Sequence, residues 1–223
     1  MSFSLPQPLA GVLFDLDGTL VDSAADLYRA LQALCAEAGG VAPPLQAVRQ
    51  VVSSGASAIV RGAFPGWSDA QLAALMPRYL EIYRGMLDGA TRTFDGVDAL
   101  LDALDAHAVP WAIVTNKAEF LSLPLLHSLG LAERAAAIVC GDTLSTRKPD
   151  PAPVLHACAL AKVAPSQCVF VGDDVRDIQA GHRAGMPAIA AAWGYWDAAL
   201  PDHGGADAVP ATPYELAALL HVA

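Results

Sequence analysis

The stretch GVLFDLDGTLVDS, residues 11–23, is an apolar run that ends in two carboxylates. The apolar residues at its start are typical of a strand that is buried on both faces of a sheet. Asp15 and Asp17 are separated by one residue, so on a strand their side chains point to the same side. Two carboxylates about 4 Å apart repel by about 1 kcal/mol in water and by about 4 kcal/mol near a protein surface. We therefore expect a group that offsets this repulsion at the end of the strand.

Four further apolar runs have the same character: VPWAIVTN (109–116), AAIVCGD (136–142), CVFVGDD (168–174) and MPAIAAAW (186–193). Helix-length segments separate these four, such as residues 120–129 and 151–161. This alternation predicts the α/β fold class, with a doubly wound parallel sheet and right-handed crossovers. Ligands of such sheets bind beyond the carboxyl ends of the strands. We expect the active site there, because polar residues end four of the five runs: Asp15, Asp17, Thr115, Asn116, Asp142, Asp173 and Asp174.

A helical insert interrupts this alternation after the first strand. From about residue 22 to residue 92 the apolar spacing is helical, and no convincing strand is present. We therefore predict a core domain formed by residues 1–20 and 93–223, and an all-helical cap domain formed by residues 21–92. An insert at this point of the chain would lie directly over the strand ends, as a lid.

Two helix boundaries and the C-terminal segment can also be predicted. Ser68 is expected to be the N-cap of a cap helix that Pro77 kinks or interrupts. Asp150 is expected to cap a helix whose first residue is Pro151. Residues 201–220 are expected to add a short sheet edge and a closing helix.

Composition narrows the class of protein. The chain has 223 residues, 54% of them hydrophobic, and a formal net charge of −10, so we expect neither nucleic acid nor an anionic membrane as a partner. A small anionic substrate remains compatible with this charge, because a metal ion and local cations can reverse the field in one cleft. We see no signal peptide or membrane span and expect a cytoplasmic protein. The cysteines are scattered, which favours buried reduced thiols: Cys35, Cys140, Cys158 and Cys168.

Four motifs occur in order along the chain: DLDGT (15–19), VTNK (114–117), RKPDP (147–151) and VGDDVRD (171–177). With these motifs the sequence resembles the haloacid dehalogenase-like superfamily over nearly its whole length, and in particular the phosphoglycolate phosphatase-like branch. The resemblance implies a Rossmann-like core with an inserted helical cap. It also implies a Mg²⁺-dependent phosphatase that hydrolyses a small phosphate ester through an aspartyl-phosphate.

The resemblance assigns roles to the acidic residues. Asp15 would be the nucleophile, and Asp17 would protonate the leaving oxygen and later activate water. The ligands of Mg²⁺ would be the Asp15 carboxylate, the Asp17 backbone carbonyl and the Asp173 carboxylate. Asp177 resembles the acid that the family holds near the metal through water. Asp174 departs from the serine that is common in this branch and would be a competing ligand.

The remaining motif residues are assigned to the phosphate. Thr115 and the backbone at Asn116 would hold the phosphoryl oxygens, and Lys148 would neutralise the nucleophile and the phosphate together. We expect Lys117 to be peripheral rather than catalytic. The aromatic residues Trp193, Tyr195 and Trp196 are expected to pack around the last strand rather than to contact substrate.

Departures from related enzymes narrow the reaction. Asp17 argues against a dehalogenase, which needs no acid at that position. Phosphonate hydrolases of the superfamily use a cap lysine, but Lys117, Lys148 and Lys162 all lie outside the predicted cap. Leu27 stands where a β-phosphoglucomutase-like enzyme carries a histidine, so we expect water as the final acceptor. A non-catalytic regulator that binds phosphate is the alternative from another class of protein.

The cap is expected to select the substrate. The stretch RQVVSSGASAIVRGAF (49–64) resembles the specificity loop of the branch, with Gly55 at a tight bend. Arg49 and Arg61 flank this bend and are candidates for binding a substrate carboxylate. We therefore predict 2-phosphoglycolate as the substrate, with N-acetylmuramate 6-phosphate or another sugar phosphate as the alternative. The oligomeric state is left open by the sequence.

Overall fold

The fold is taken from a computed structural model, which describes residues 4–87, 89–196 and 202–223. In chain order the elements are β1 (Gly11–Phe14), β2 (Val21–Asp22), α1 (Ala24–Ala38), α2 (Leu45–Arg49), α3 (Ala56–Ala63), α4 (Asp69–Arg84), β3 (Arg92–Thr93), α5 (Val97–Ala106), β4 (Trp111–Val114), α6 (Glu119–Ser128), β5 (Ala137–Val139), α7 (Ala152–Ala161), β6 (Cys168–Gly172), α8 (Val175–Arg183), β7 (Ala188–Ala190) and α9 (Pro213–Leu219). Short 3₁₀ turns lie at Pro165–Gln167 and His203–Gly205.

A five-stranded parallel sheet forms the centre of the core, in the order β5-β4-β1-β6-β7. The central strand β1 is fixed on both sides, since Val12 pairs with Trp111 of β4 and with Val169 of β6. All four residues of β1 are buried, as expected for an apolar strand covered on both faces. The predicted α/β class and its five strands are confirmed.

Each predicted strand ends before the polar residues that follow it. β1 stops at Phe14, one residue before Asp15, and β4 stops at Val114, one residue before Thr115. β6 stops at Gly172, before Asp173. The polar residues therefore lie in the loops beyond the carboxyl edge of the sheet, where backbone groups are available to a ligand.

The helices α1 to α4 lie between β2 and β3, in the segment predicted as the cap. β2 and β3 pair antiparallel, with Val21 opposite Thr93. This ribbon was not predicted, because two residues are too few to show an alternating pattern. It lies where the predicted core and cap domains meet, although the domain limits at residues 20/21 and 92/93 stay a prediction.

The predicted helix ends are largely confirmed. Ser68 caps α4 and forms a capping box with Gln71. The helix continues through Pro77 without interruption, because a proline removes one backbone hydrogen bond without ending every helix that contains it. The Asp150 carboxylate accepts from the backbone N–H of Ala152 at 2.8 Å, and α7 begins at that residue, one later than predicted.

The C-terminal segment and the cysteines also agree with expectation. Ile189 and Ala208 form an isolated bridge at the sheet edge, and α9 follows it; residue 201 lies outside the described residues. The four cysteines are buried and not disulfide-bonded. Among the described helices, none combines the length and the apolar character needed to cross a membrane.

Candidate active site

Three buried carboxylates meet at the carboxyl edge of the sheet. Asp15 follows β1, Asp173 follows β6, and Asp177 lies in the first turn of α8. One oxygen of each lies within 4.8 Å of the others. Asp15 is held in place by its backbone N–H, which donates to the Val171 carbonyl at 2.9 Å. We call these three residues the acid cluster.

Burial makes the acid cluster electrostatically unfavourable without a cation. Burial is the largest cause that raises the pKa of Asp15 above its ordinary value, and Lys148 opposes it. Burial, with Asp15 and Asp177 nearby, raises the pKa of Asp173 well above its ordinary value. The pKa of Asp177 is raised to about 7, again mainly by burial. The cluster therefore favours a bound cation or a bound proton at neutral pH.

Lys148 supplies part of the missing charge. Its Nζ lies 2.7 Å from Asp15 Oδ1 and 2.7 Å from Asp177 Oδ1. Burial alone would lower the pKa of Lys148, but Asp15 and Asp177 outweigh burial and raise it. The ammonium is therefore charged and lies against the predicted nucleophile, as the sequence suggested.

Asn116 fixes the loop that carries Lys148. The Asn116 side chain donates to the Lys148 carbonyl at 3.0 Å and accepts from the Lys148 backbone N–H at 3.1 Å. Thr115, at the start of the same turn, is buried and accepts through Oγ1 from the Lys117 backbone N–H at 3.1 Å. The sequence analysis assigns Asn116 a role only through its backbone, and the side-chain role appears only in the structure.

Asp17 lies apart from the acid cluster and contacts other groups. Ser23 Oγ donates to Asp17 Oδ1 at 2.5 Å, and Lys117 Nζ lies 3.0 Å and 3.2 Å from the two carboxylate oxygens. The same Lys117 ammonium donates to the Tyr83 hydroxyl at 2.6 Å. The expectation that Lys117 is peripheral is therefore wrong, because its side chain is 8% exposed and is paired with the predicted acid.

The Asp173 carboxylate is held by three donors from different parts of the chain. Thr19 Oγ1 donates to Oδ1 at 3.0 Å, while Ser53 Oγ and the Tyr195 backbone N–H donate to Oδ2 at 2.8 and 3.0 Å. Gly18 must be a glycine here, since its φ is +91° and a Cβ would lie 2.0 Å from Asp173 Oδ2. Thr19 belongs to the quoted DLDGT motif, but sequence reasoning gave it no role.

The aromatic residues after β7 pack as predicted. Trp196 packs against the buried cluster of Ile178, Ala188 and Ala190, and Trp193 Nε1 donates to the Thr19 carbonyl. Tyr195 is buried and its hydroxyl donates to Asp22 Oδ1 at 2.6 Å. Tyr195 therefore also links the site to the ribbon between core and cap, which was not predicted.

The Asp174 carboxylate pairs with an arginine, while the Asp174 backbone N–H donates to Asp177 Oδ2 of the acid cluster at 3.1 Å. Its carboxylate caps α8 and accepts from Arg176 Nε at 2.7 Å and Nη2 at 2.9 Å. Arg176 Nη2 also donates to the Ser53 carbonyl, so it joins α8 to the loop before α3. Within the described residues the acid cluster contains Asp15, Asp173 and Asp177, without Asp174.

A cavity of about 560 Å³ lies between the cap and the sheet edge. Its walls include Asp15, Asp17 and Lys148 from the core and Gly55 from the cap. Gly55 has a φ of 88°, so the tight bend that the sequence predicted is present.

Arg49 and Arg61 do not line this cavity among the residues that the structure describes. Arg49 pairs with Asp22 at 2.9 Å, and Arg61 pairs with Asp69 at 2.7 Å. Their predicted part in specificity stays a prediction. The arginines on the cavity wall are Arg147 and Arg176, which sequence reasoning missed although both stand within the quoted motifs.

Comparison with known proteins identifies the family. A family model described as haloacid dehalogenase-like hydrolase matches residues 12–191. The chain belongs to that family. The match spans all four motifs and the whole segment between them, so the resemblance read from the sequence is confirmed.

Relatives of this hydrolase, and solved structures of other proteins that resemble it, agree with the family. It is 46% identical over 184 residues to a phosphoglycolate phosphatase of Xylella fastidiosa, covering 82% of this chain and 80% of that one. It is 40% identical over 212 residues to an N-acetylmuramic acid 6-phosphate phosphatase of Pseudomonas aeruginosa, covering 93% of each chain. The crystal structure of a predicted phosphoglycolate phosphatase from Haemophilus somnus 129PT matches with a TM-score of 0.83 and 25% identity, over 95% of this chain and 97% of that one. These relatives confirm the predicted enzyme class, that of the phosphoric monoester hydrolases.

The acid cluster fits the divalent cation that the family implies. It offers three buried carboxylates within 4.8 Å of one another, and hard oxygen ligands of this kind suit Mg²⁺. Burial is the main cause that raises the pKa values of Asp173 and Asp177, and a bound cation would stabilise their ionised forms. In this hydrolase the Asp15 and Asp173 carboxylates would hold the ion, with Asp177 beside them. Whether Asp177 contacts the ion directly or through water, and whether the Asp17 carbonyl is a ligand, stay predictions.

Proposed function

We propose that this hydrolase removes phosphate from a small carboxylated phosphate monoester through an aspartyl-phosphate, with 2-phosphoglycolate as the first candidate substrate. Asp15 attacks phosphorus, the bond from phosphorus to the ester oxygen breaks, and Asp17 gives that oxygen a proton. Asp17 then takes a proton from water, which attacks the aspartyl-phosphate and releases inorganic phosphate and free Asp15. Mg²⁺, when bound, would neutralise the charge of the nucleophile and the phosphate.

The contact between Lys148 Nζ and Asp15 Oδ1, at 2.7 Å, is the observation that carries this proposal. An anionic nucleophile approaching a dianionic ester needs compensating charge above all. Lys148 places that charge beside the carboxylate that would attack, and Asn116 holds the lysine backbone in place. Thr115 lies on the same turn and lines the same cavity, where it would bind a phosphoryl oxygen.

The preference for 2-phosphoglycolate is supported by the named relatives and by the charge of the cavity. The Xylella fastidiosa phosphoglycolate phosphatase is 46% identical to this chain. Arg147 and Arg176 line the cavity beside the phosphate site, and an arginine is well suited to bind a carboxylate. A substrate with a carboxylate near its phosphate would meet cations at both ends.

N-acetylmuramate 6-phosphate is the second candidate, and the size of the cavity favours it. Pockets of about 300–1,000 Å³ enclose drug-sized ligands, so the short 2-phosphoglycolate would fill little of the 560 Å³ available. Apolar side chains from the cap, Ile59, Met76 and Leu80, line the same cavity and would suit a sugar ring. The Pseudomonas aeruginosa relative that bears this substrate in its name covers 93% of this chain.

The test compares kcat/KM for 2-phosphoglycolate, N-acetylmuramate 6-phosphate and glucose 6-phosphate, each with Mg²⁺ and with a chelator. We expect one carboxylated ester to exceed glucose 6-phosphate by about 100-fold, equivalent to about 2.7 kcal/mol of transition-state discrimination. Three equally slow esters would refute the carboxylate preference. Turnover that survives in Asp15→Asn would refute Asp15 as the nucleophile, whereas a wild-type protein that hydrolyses no phosphate ester would favour the phosphate-binding regulator. The cytoplasmic location and the lack of nucleic-acid or membrane partners stay predictions.

A further inference from the structure

The Lys117 ammonium lies between an acid of the core and a helix of the cap. It contacts both oxygens of Asp17 at 3.0 and 3.2 Å, and it donates to the hydroxyl of Tyr83 on α4 at 2.6 Å. The ammonium also lies 4.5 Å from the centre of the Tyr83 ring, within range of a cation–π interaction. One cation therefore joins the predicted acid to the cap.

The backbone of Lys117 is fixed to the phosphate side of the site. Its N–H donates to Thr115 Oγ1 at 3.1 Å, and its carbonyl accepts from the Gly141 N–H at 2.8 Å. Ser122 Oγ donates to the same carbonyl at 3.3 Å. The ammonium thus extends from a rigid turn that also presents Thr115 to the cavity.

The Lys117 side chain is buried against its two partners. It is 8% exposed and contacts the Asp17 carboxylate and the Tyr83 hydroxyl. A buried ion pair is weak evidence for stability, because apolar side chains of similar volume often replace it without loss. All three partners line the cavity, which places the pair at the site of the reaction rather than in the core.

We propose that Lys117 is a positioning residue that places the Asp17 carboxyl at the leaving-group oxygen, and that Tyr83 links this placement to the position of the cap over the sheet edge. The inference rests on the proposed function, in which Asp17 is the acid. The Lys117 ammonium contacts both Asp17 oxygens, so it fixes the orientation of the carboxyl group. A displacement of about 1 Å in a reacting group costs about 100-fold in rate, so the placement of Asp17 matters.

Two esters with different leaving groups test this role. p-Nitrophenyl phosphate releases an anion that needs no proton, whereas an alkyl ester releases an alkoxide that does. The alkyl ester is whichever of 2-phosphoglycolate and N-acetylmuramate 6-phosphate the wild type hydrolyses faster. The ratio kcat/KM is compared for both esters, because it reports the transition-state stabilisation of the step that expels the leaving group.

We expect Lys117→Met to lower kcat/KM for the alkyl ester by about 100-fold, within the range for lost general acid catalysis, and for the aryl ester by less than about fivefold. Tyr83→Phe keeps the pair of Lys117 and Asp17. We therefore expect it to lower kcat/KM for the alkyl ester by about fivefold and for the aryl ester by less. Equal losses for the two esters in Lys117→Met, or no loss, would overturn the positioning role. Equal losses of kcat/KM for the two esters in Tyr83→Phe would overturn the link to the cap.

Controls separate this inference from the mechanism on which it rests. Lys162→Met removes an exposed lysine at the end of α7 and should leave both esters unchanged. Asp17→Asn should show the same bias toward the alkyl ester. If Asp17→Asn lowers kcat/KM more for the alkyl ester and Lys117→Met does not, only the proposed role of Lys117 is refuted. If Asp17→Asn lowers kcat/KM equally for both esters, the acid role of Asp17 is refuted. Should Lys117→Met not fold by circular dichroism, Lys117→Leu also removes the charge and every side-chain donor and carries the same expectation.

Discussion

The hydroxyl of Ser53 donates to Asp173 Oδ2 at 2.8 Å, and this bond joins the loop before α3 to the acid that follows β6. The Ser53 carbonyl accepts from Arg176 on α8, so the cap loop is held from two sides by the core. The bond places a residue of the predicted specificity loop directly on the acid cluster. The position of the cap loop and the arrangement of the acid cluster therefore both depend on Ser53.

Ser53→Ala should lower kcat/KM for the best substrate by about fivefold, because a net hydrogen bond is worth about 1 kcal/mol. The melting temperature should fall by no more than about 2–4 °C, the shift that a loss of about 1 kcal/mol gives in a chain of this size. Steady-state kinetics and thermal unfolding measure the two effects. Ser166→Ala removes an exposed hydroxyl from a distant 3₁₀ turn and is the control. Unchanged kinetics in Ser53→Ala would show that the bond does not contribute.

Asp15→Asn should abolish turnover. It should also raise the melting temperature of the metal-free protein, by about 2–4 °C for each 1 kcal/mol gained in the free energy of unfolding. The nucleophile is lost, but a buried carboxylate whose ionised form is disfavoured by burial is replaced by a neutral amide. Scanning calorimetry in chelator and an aryl phosphate assay check the two effects. Glu81→Gln, at an exposed ion pair on α4, should change neither. A large destabilisation in Asp15→Asn would show that the pair with Lys148 outweighs the cost of burying the carboxylate.

The metal-free protein should lose stability as the pH rises from about 4 to about 7. Burial raises the pKa of Asp177 to about 7 in the folded chain, from an ordinary 3.8. The folded chain therefore binds more protons than the unfolded chain in this window, and its free energy of unfolding falls with rising pH. Since Mg²⁺ would replace the bound protons, it should raise the melting temperature more at about pH 7 than at about pH 5.

Thermal unfolding across this pH range, with Mg²⁺ and with chelator, measures the effect. Asp177→Asn should weaken the pH dependence in chelator, because Asp15 and Asp173 still contribute to it, whereas Asp69→Asn, whose side chain is 88% exposed, should leave it unchanged. A stability that rises over this range in the absence of metal would contradict the assignment.

The sheet and the acid cluster were predictable because both follow from local sequence. Parallel strands bring their carboxyl ends to one edge, so Asp15, Thr115 and Asp173 had to converge once β1, β4 and β6 were recognised. Lys148 followed from its motif, and the structure places its Nζ at 2.7 Å from Asp15. Predictions of this kind need only the order of the strands.

Contacts between the cap and the core were not predictable in the same way. The pairs of Ser53 with Asp173 and of Tyr83 with Lys117 depend on how the inserted helices lie over the sheet, which no local pattern encodes. Lys117 was misjudged for this reason, because its partners come from a different strand and from a distant helix. Arg49 and Arg61 were chosen for their place beside a glycine bend, but both pair with nearby aspartates.

Arg147→Met should raise KM for the carboxylated substrate by about 10-fold and leave p-nitrophenyl phosphate nearly unchanged, because a hydrogen bond to a charged group is worth about 1.5–3 kcal/mol. Arg147 lines the cavity, and its Nε donates to the Gly141 carbonyl. Among the described residues, neither terminal nitrogen of its guanidinium has a hydrogen-bond partner. In contrast, the guanidinium of Arg176 is paired with Asp174. Arg147 therefore presents the planar pair of donors that suits a carboxylate.

Arg61→Met is the matched comparison, since the sequence favoured Arg61 and the structure pairs it with Asp69 at the surface. We expect its KM values to equal those of the wild type for both esters. A rise in KM for the carboxylated ester in Arg61→Met, with none in Arg147→Met, would instead support the cap arginine and require the cap to reorient when substrate binds. Equal effects of Arg147→Met on both esters would mean that Arg147 acts on the phosphate, because that group is common to both.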